Sequence, residues 1–299
     1  MKTLSKYFIL AGCVLLAPLA AQTQTPERPS DRLTVPLSNP ERPAVLKAGL
    51  MNGSITVKAY AGKEVIVEAV VRTAKYSKDK HKDKDQDYDS EGGRDEERGN
   101  REGKRLGMRR LEINTTGLAV EEENNVVEVE AGSMSRTIDL NIQVPVRTSL
   151  ELSCLNDGDL VVDGVTGEIE VNNTNGAVTI TNVSGSVVAH ALNDDVRVVF
   201  AKVEPGKAMS FSSLNGDIDV TFPPTVKATI SMKSDNGEIY SDFDINLEPT
   251  TRRLEEDGRR EGGKYRIRVE KAMIGTINGG GPEVQFSTFN GDVYIRKGK

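Results

Sequence analysis

The chain has 299 residues and a formal net charge of −6, enough for one large domain or two ordinary ones. Its Lys and Arg are interspersed with Asp and Glu, so no basic face emerges, which argues against nucleic acid as a partner. With no Trp and only 5% aromatics, a core must be built from Val, Ile, Leu and Ala, and 28 glycines imply many tight corners.

The first residues, MKTLSKYFILAGCVLLAPLAA, read as an export signal covering 1–21. Lys2 and Lys6 give the charged start, and Phe8 to Leu19 is an apolar run too short to span a bilayer comfortably. Small residues Ala20 and Ala21 then precede polar Gln22, placing cleavage near Ala21. A competing reading takes Leu10-Ala11-Gly12-Cys13 as a lipobox with a lipid anchor on Cys13. The mature chain is therefore expected to be exported to the periplasm, the cell surface or the exterior, with no later apolar stretch long enough for a transmembrane helix. Cys154 would then be the one remaining cysteine, which leaves no internal disulfide. Inside strand-like SLELSCL it reads as a small buried apolar residue.

Residues 22–31 carry Pro26 and Pro29 and read as a flexible leader, and a domain over 32–297 follows. LTVPL, AVLKAG, SITVKAY and EVIVEAVV are strand-like, with Ile55, Val57 and Ala59 in period-two alternation. Lys75 to Arg105 holds ten basic and ten acidic residues. It cannot bury enough apolar surface to offset its ordering entropy and reads as a disordered charged insertion, 75–105. LEINTTG and NVVEVEA alternate again, and TIDLNIQVPVRTSLELSCL gives two strands about Val144-Pro145. Pro145 cannot donate to a ladder and belongs at a strand end or edge. A second charged stretch, within 249–264, reads as an exposed loop between INL and YRIRVE.

The regular region starts at Asn156: NDGDLVVDG, VTGEIEVNN, TNGAVTITN, VSGSVVAHA, LNDDVRVVF. Gly158, Gly167, Gly176, Gly185 and Asp194 recur in steps of nine, each followed two residues on by Leu160, Ile169, Val178, Val187 or Val196. This is strand alternation with a fixed corner, where Gly supplies positive φ and Asn or Asp is next best. Later phrases place Gly216, Gly237 and Gly291 alike, with steps that suit a coil of two strands and about twenty residues. Such strands can form an all-β solenoid, β-helix-like, or an antiparallel meander closed into a sandwich or barrel. Columns of aliphatics favour stacking, as do Asn175, Asn193, Asn215 and Asn236, whose side chains can bond from coil to coil.

DLNIQVPVRTSLELSCLNDGDLVV, SLNGDIDVTFP and TINGGGPEVQFSTFNGDVYI together resemble the widespread bacterial putative-adhesin family of unknown function, with its NG-[DE]-aliphatic repeats. The likeness runs from Leu33 to Lys297 outside the two charged insertions. It implies a β-solenoid of adhesin type and brings no catalytic residues with it.

Candidate chemistry is sparse. His190, Asp194, Asp195 and Arg197, with Asp157, Asp159 and Asp163 one or two coils earlier, are the best cluster for a carbohydrate lyase or hydrolase. The plainer reading makes Asp194 a corner residue and Asp195 and Arg197 outward residues of an alternating strand. His81 falls in the charged insertion and His190 near a turn, which suits neither a triad nor a zinc site. Asp85, Asp87, Asp89 and Glu96 resemble a calcium loop, but Ser90 stands where its glycine belongs. No catalytic, cofactor-binding or metal-binding residue is assigned, and no cofactor is expected. The expected function is that of an exported, non-enzymatic adhesin-like or scaffold module whose outward residues, such as Glu168, Glu170, Thr179, Asp217 and Asp219, meet a glycan, a surface protein or another copy. The alternatives are a carbohydrate-active enzyme using Asp194 and Asp195, or an envelope-stress accessory protein.

Overall fold

The computed structural model describes residues 30–72, 116–132, 136–248, 252–257, 265–270 and 273–299. The expected signal segment, most of the leader, the charged insertion 75–105 and the calcium-like residues lie outside them. Every regular element among the described residues is a strand. The chain opens with β1 (Ser30–Pro36), β2 (Ala44–Asn52), β3 (Ile55–Tyr60) and β4 (Glu64–Val71). Next come β5 (Ala119–Glu123), β6 (Val126–Glu130), β7 (Ile138–Pro145), β8 (Thr148–Asn156) and β9 (Leu160–Asp163). The repeats supply β10 (Thr166–Asn173), β11 (Val178–Ala191), β12 (Val196–Val203), β13 (Met209–Ser213), β14 (Ile218–Phe222), β15 (Ala228–Ser234) and β16 (Ile239–Ser241). Last are β17 (Asn246–Glu248), β18 (Arg252–Asp257), β19 (Tyr265–Glu270), β20 (Met273–Ile277), β21 (Glu283–Thr288) and β22 (Val293–Lys297).

Hydrogen bonding joins all of these except β18 and β19 into one sheet, folded into two walls. The front wall runs β5, β6, β2, β8, β10, the second half of β11, β13, β21, β15, β20, β17. The back wall runs β1, β4, β7, β3, β9, the first half of β11, β12, β14, β22, β16. A coil is one strand from each wall, and coils stack in parallel, as a solenoid requires. Antiparallel strands finish the stack: β1 and β4 on one wall, β5 on the other, and β20 and β17 at the far end of the front wall. Such caps stop a parallel ladder from recruiting further chains.

The aliphatic columns are buried as their period demands. Ile55, Leu160, Val178, Val196, Ile218 and Val293 follow one another in register and each is fully buried. Toward the C-terminal coils the filling changes to phenylalanine. Phe200 stacks on Phe222 at 5.3 Å between centroids and Phe211 on Phe286 at 5.4 Å, the two pairs meeting edge to face. Each aromatic pair adds about 0.5–1.5 kcal/mol beyond the area it buries. Pro145 ends β7, so its missing donor costs no interior rung.

Three features depart from the sequence reading. Coils do not all follow chain order: β2–β3 lies between β6–β7 and β8–β9, and β21–β22 lies between β13–β14 and β15–β16. The stretch 249–264, expected to be a loop, contains β18, which pairs antiparallel with β19 from Arg252↔Glu270 to Asp257↔Tyr265. Finally, β1 begins at Ser30, two residues before the expected domain start.

Candidate functional site

The recurring Asn-Gly-acid corner resolves into columns running along the stack. In the first, side-chain amides are chained from coil to coil. Asn175 Nδ2 donates to Asn156 Oδ1 at 2.9 Å, Asn193 to Asn175 at 2.7 Å and Asn215 to Asn193 at 2.9 Å. Asn290 then donates to Asn215 at 2.8 Å and Asn236 to Asn290 at 2.9 Å. The ladder expected over Asn175, Asn193, Asn215 and Asn236 therefore exists, with Asn156 starting it and Asn290 interposed.

The second column is glycine; Gly53 and Gly176 have the positive φ expected of a corner, at +131° and +156°, but close approach acts along the whole column. A Cβ on Gly158 would lie 2.2 Å from the Gly53 carbonyl oxygen, and one on Gly216 would lie 2.2 Å from that of Asp194. Gly291 meets Gly216 and Gly237 meets Gly291 in the same way. None of Gly158, Gly216, Gly237 or Gly291 has positive φ. Close approach of stacked backbones, not turn conformation, selects glycine there.

The third column is acidic. Asp159 Oδ1 accepts the Ala177 N–H at 3.0 Å. Asp195 accepts that of Asp217, Asp217 that of Asp292 and Asp292 that of Glu238, each at 2.8 Å. Where the column is broken by Ala177, the Asp195 N–H turns to Asp194 Oδ1 at 2.8 Å, so Asp194 replaces the missing carboxylate.

A fourth column lies inside the corner. Cys154 Sγ donates to Gly53 O at 2.8 Å, Asn173 Nδ2 to Gly158 O at 3.0 Å and Ser213 Oγ to Asp194 O at 2.9 Å. Thr288 bonds Gly216 O at 3.1 Å and Ser234 bonds Gly291 O at 3.0 Å. Cys154 is thus buried, as expected, but as a donor in a hydroxyl-like role. Burial pushes its thiol up from the ordinary value, which keeps it protonated and unreactive.

These columns absorb the cluster that suggested an enzyme. Asp194 and Asp195 sit in the corner, bonded as above, while Arg197 lies on the back wall with its Nε 4.0 Å from Asp219. His190 lies on the front wall, its Nδ1 hydrogen-bonded to Ser212 Oγ. Asp163 accepts from Thr181 at 2.8 Å and Asn182 at 2.9 Å, bonds that hold its carboxyl below the usual range. The structure therefore spreads His190, Asp194, Asp195 and Arg197 over two walls and a corner and does not bring them together. Glu168 and Glu170 are exposed on the front wall, and Thr179, Asp217 and Asp219 are half-buried on the corner and back wall.

The outer surface carries a feature the sequence reading passed over. Asn236, at the end of the ladder, follows Asp235; before the other five asparagines stand Leu155, Thr174, Leu192, Leu214 and Phe289, with Met51 in the equivalent place on β2. Apart from Thr174 these are large apolar side chains left 42–47% exposed. They form a ridge roughly 24 Å long at about 4.8 Å per coil. Beside it runs a furrow of about 460 Å³, whose floor includes Asn172, His190, Ser212 and Ser287 in register. The Leu-Asn, Leu-Asn, Leu-Asn, Phe-Asn pattern was legible in the sequence at 155–156, 192–193, 214–215 and 289–290.

At the end of the back wall Tyr240 stacks on Tyr294 at 5.2 Å, rings nearly parallel. Arg296 lies over Tyr294 and pairs with Asp219 at 2.7 Å. Each tyrosine hydroxyl donates to the acid two residues before it, Glu238 or Asp292. The hydrogen bond to Glu238 pushes Tyr240 up to about 12.

Two solved structures are similar to this chain at low identity. One is a putative cell adhesion protein from Clostridium sporogenes, 11% identical, covering 91% of this chain and 100% of its own, with a TM-score of 0.42. The other is a putative adhesin from Bacteroides fragilis, 12% identical, covering 90% of this chain and 96% of its own, with a TM-score of 0.36. No curated protein matches the sequence. Residues 118–295, more than half of the chain and nearly all of the repeat region, match the Toastrack DUF4097 family, and the chain belongs to it.

Proposed function

We propose that this chain is an exported, non-enzymatic binding module of the cell envelope, which holds a linear glycan of low charge along its front wall. Export rests on the character of residues 1–21, and the proposed layout is a signal over 1–21, a leader from 22 to 29 ahead of β1, and a single β domain carrying the charged insertion 75–105. The observation that carries the binding role is the apolar row Met51, Leu155, Leu192, Leu214 and Phe289, interrupted at Thr174, of which Leu192, Leu214 and Phe289 border the hydroxyl and amide furrow. A soluble protein gains nothing by aligning five large apolar side chains in water, so an ordered row of them marks a contact surface. A sugar chain offers C–H faces to such a ridge and hydroxyls to Asn172, Ser212 and Ser287. Stacking in register fixes both partners of that contact at strand spacing, which lowers the ordering cost of binding.

The test is binding of purified mature protein to neutral envelope and host glycans, with extended peptides as comparator. Replacing Leu192 and Leu214 together by Ser, which leaves every corner hydrogen bond in place, should weaken glycan binding at least about tenfold, near 1.4 kcal/mol. Unchanged binding by that variant would remove the ridge from the site. Peptide binding without glycan binding would replace the ligand class.

A further inference from the structure

The last coil of the chain is not the last coil of the stack. β21 is bonded to β13 on one side and β15 on the other, and β22 to β14 and β16. Residues 283–297 therefore fill a slot whose two walls were both made earlier in the chain. Most contacts across that slot are of the repeating kind, joined by the Tyr240–Tyr294 stack and the Arg296–Asp219 pair. Phe286 lies between Phe211 and Met232, Asn290 between Asn215 and Asn236, and Asp292 between Asp217 and the Glu238 N–H.

The slot walls also match each other. Register through the inserted coil aligns Met209 with Ile230 and Phe211 with Met232 in the front wall, and Ile218 with Ile239 in the back. Gly216 and Gly237 occupy the same corner place. β15–β16 can therefore dock directly on β13–β14 while the final residues are absent, as they are when the chain has been made only to residue 241. The element that must then enter is attached through Asn278-Gly279-Gly280-Gly281. That link crosses the start of β15 so closely that a Cβ on Gly281 would lie 2.4 Å from Lys227 O, and Gly279 and Gly280 have φ of +86° and +84°. A short, constrained link to an element held mainly by repetitive contacts favours exchange between copies, because the partner's coil satisfies the same bonds.

We propose that the C-terminal coil, β21–β22, is exchangeable: on folding at high concentration it enters the slot of a second copy of this chain, and two copies swap it reciprocally. The test uses outward register partners in adjacent strands, Ser212 and Ser287. In a Cys13→Ser, Cys154→Ser background, one full-length chain carries Ser212→Cys and another carries Ser287→Cys. The two are unfolded, mixed, refolded together and oxidised. A chain carrying both substitutions, refolded dilute, should close an intramolecular disulfide and verifies the geometry, and Ser210 with Gln285 is a second pair on the same strands if the first perturbs folding. The expected result is an interchain disulfide between unlike variants in a dimer of fixed mass, increasing with protein concentration during refolding and enriched further when Gly279 and Gly280 are deleted. A monomer with no interchain disulfide at any concentration, while the doubly substituted chain cross-links internally, overturns the proposal.

Discussion

Cys154 shows how a single side chain is chosen by its column. Its neighbours in the inner corner are Asn173, Ser213, Thr288 and Ser234, and all of them donate to a carbonyl of the adjacent coil. Serine at 154 can make the same bond to Gly53, whereas valine fills the space and leaves that carbonyl without its donor. Cys154→Ser should unfold in urea at nearly the parental midpoint, and Cys154→Val should lose about 1–3 kcal/mol. The glycine column makes a parallel case. Gly216→Ala places a methyl against backbone at 2.2 Å, so two coils must part, and a loss of about 3 kcal/mol or more is expected. Gly206 has nothing within 4 Å and a φ of +91°, so Gly206→Ala should cost only the left-handed strain of about 1–2 kcal/mol. Chemical denaturation of the pair separates the two causes, and equal losses would contradict them. These residues also mark what was legible in the sequence. The repeating glycine was visible, but its reason was not, because close approach is set by the coil above and not by local conformation. Cys154 was read as apolar because a single strand does not reveal that its column is otherwise hydroxyl and amide.

At the scale of elements, the nine-residue phrase was legible because both walls share one alternation. A corner lies at every step, and strands alternate between walls, so Leu160, Val178 and Val196 recur 18 residues apart in one wall. The insertion of β2–β3 and β21–β22 out of order was not legible, since every coil offers the same corner chemistry and therefore fits any neighbour. The strand in the charged stretch after β17 was hidden by composition, which speaks to exposure and not to pairing. The pair of β16 and β22 carries an electrostatic consequence. Tyr240 donates to Glu238 and Tyr294 to Asp292, and each carboxylate favours the protonated phenol. A folded-state value raised above the unfolded one contributes stability that is fully present below pH 10 or so and is lost as pH rises through about 12 for Tyr240. Tyr240 and Tyr294 should give their tyrosinate absorbance late in an alkaline titration. Tyr240→Phe should remove one late step, and Glu238→Gln should bring the Tyr240 step back toward the ordinary range. A titration of the folded protein left unchanged by Tyr240→Phe in its late portion would contradict the hydrogen bond to Glu238.

The whole molecule behaves as a one-dimensional stack, in which each coil is stabilised mainly by the coils on either side. Position in the stack, not position in the chain, should then govern local stability. β9, β10 and β11 have bonded neighbours on both sides, and their inward aliphatics are buried. β21 and β22, though last in sequence, are likewise enclosed on both sides. Among the described residues, β16 is three residues long and bonded only to β22, and the β18–β19 hairpin pairs only with itself. A two-stranded hairpin alone is marginal in water, and amides open locally where neighbours are few. Native-state hydrogen exchange should accordingly find the β9–β11 amides slowest, β21 and β22 close behind them, and β16, β18 and β19 faster by orders of magnitude. The comparison of β22 with β16 decides the matter, because both lie on the back wall and the later strand in the chain is the inner one in the stack. Faster exchange in β22 than in β16 would mean that the terminal coil does not occupy its slot in the native protein, and the stacking order would have to be redrawn with β15–β16 directly against β13–β14.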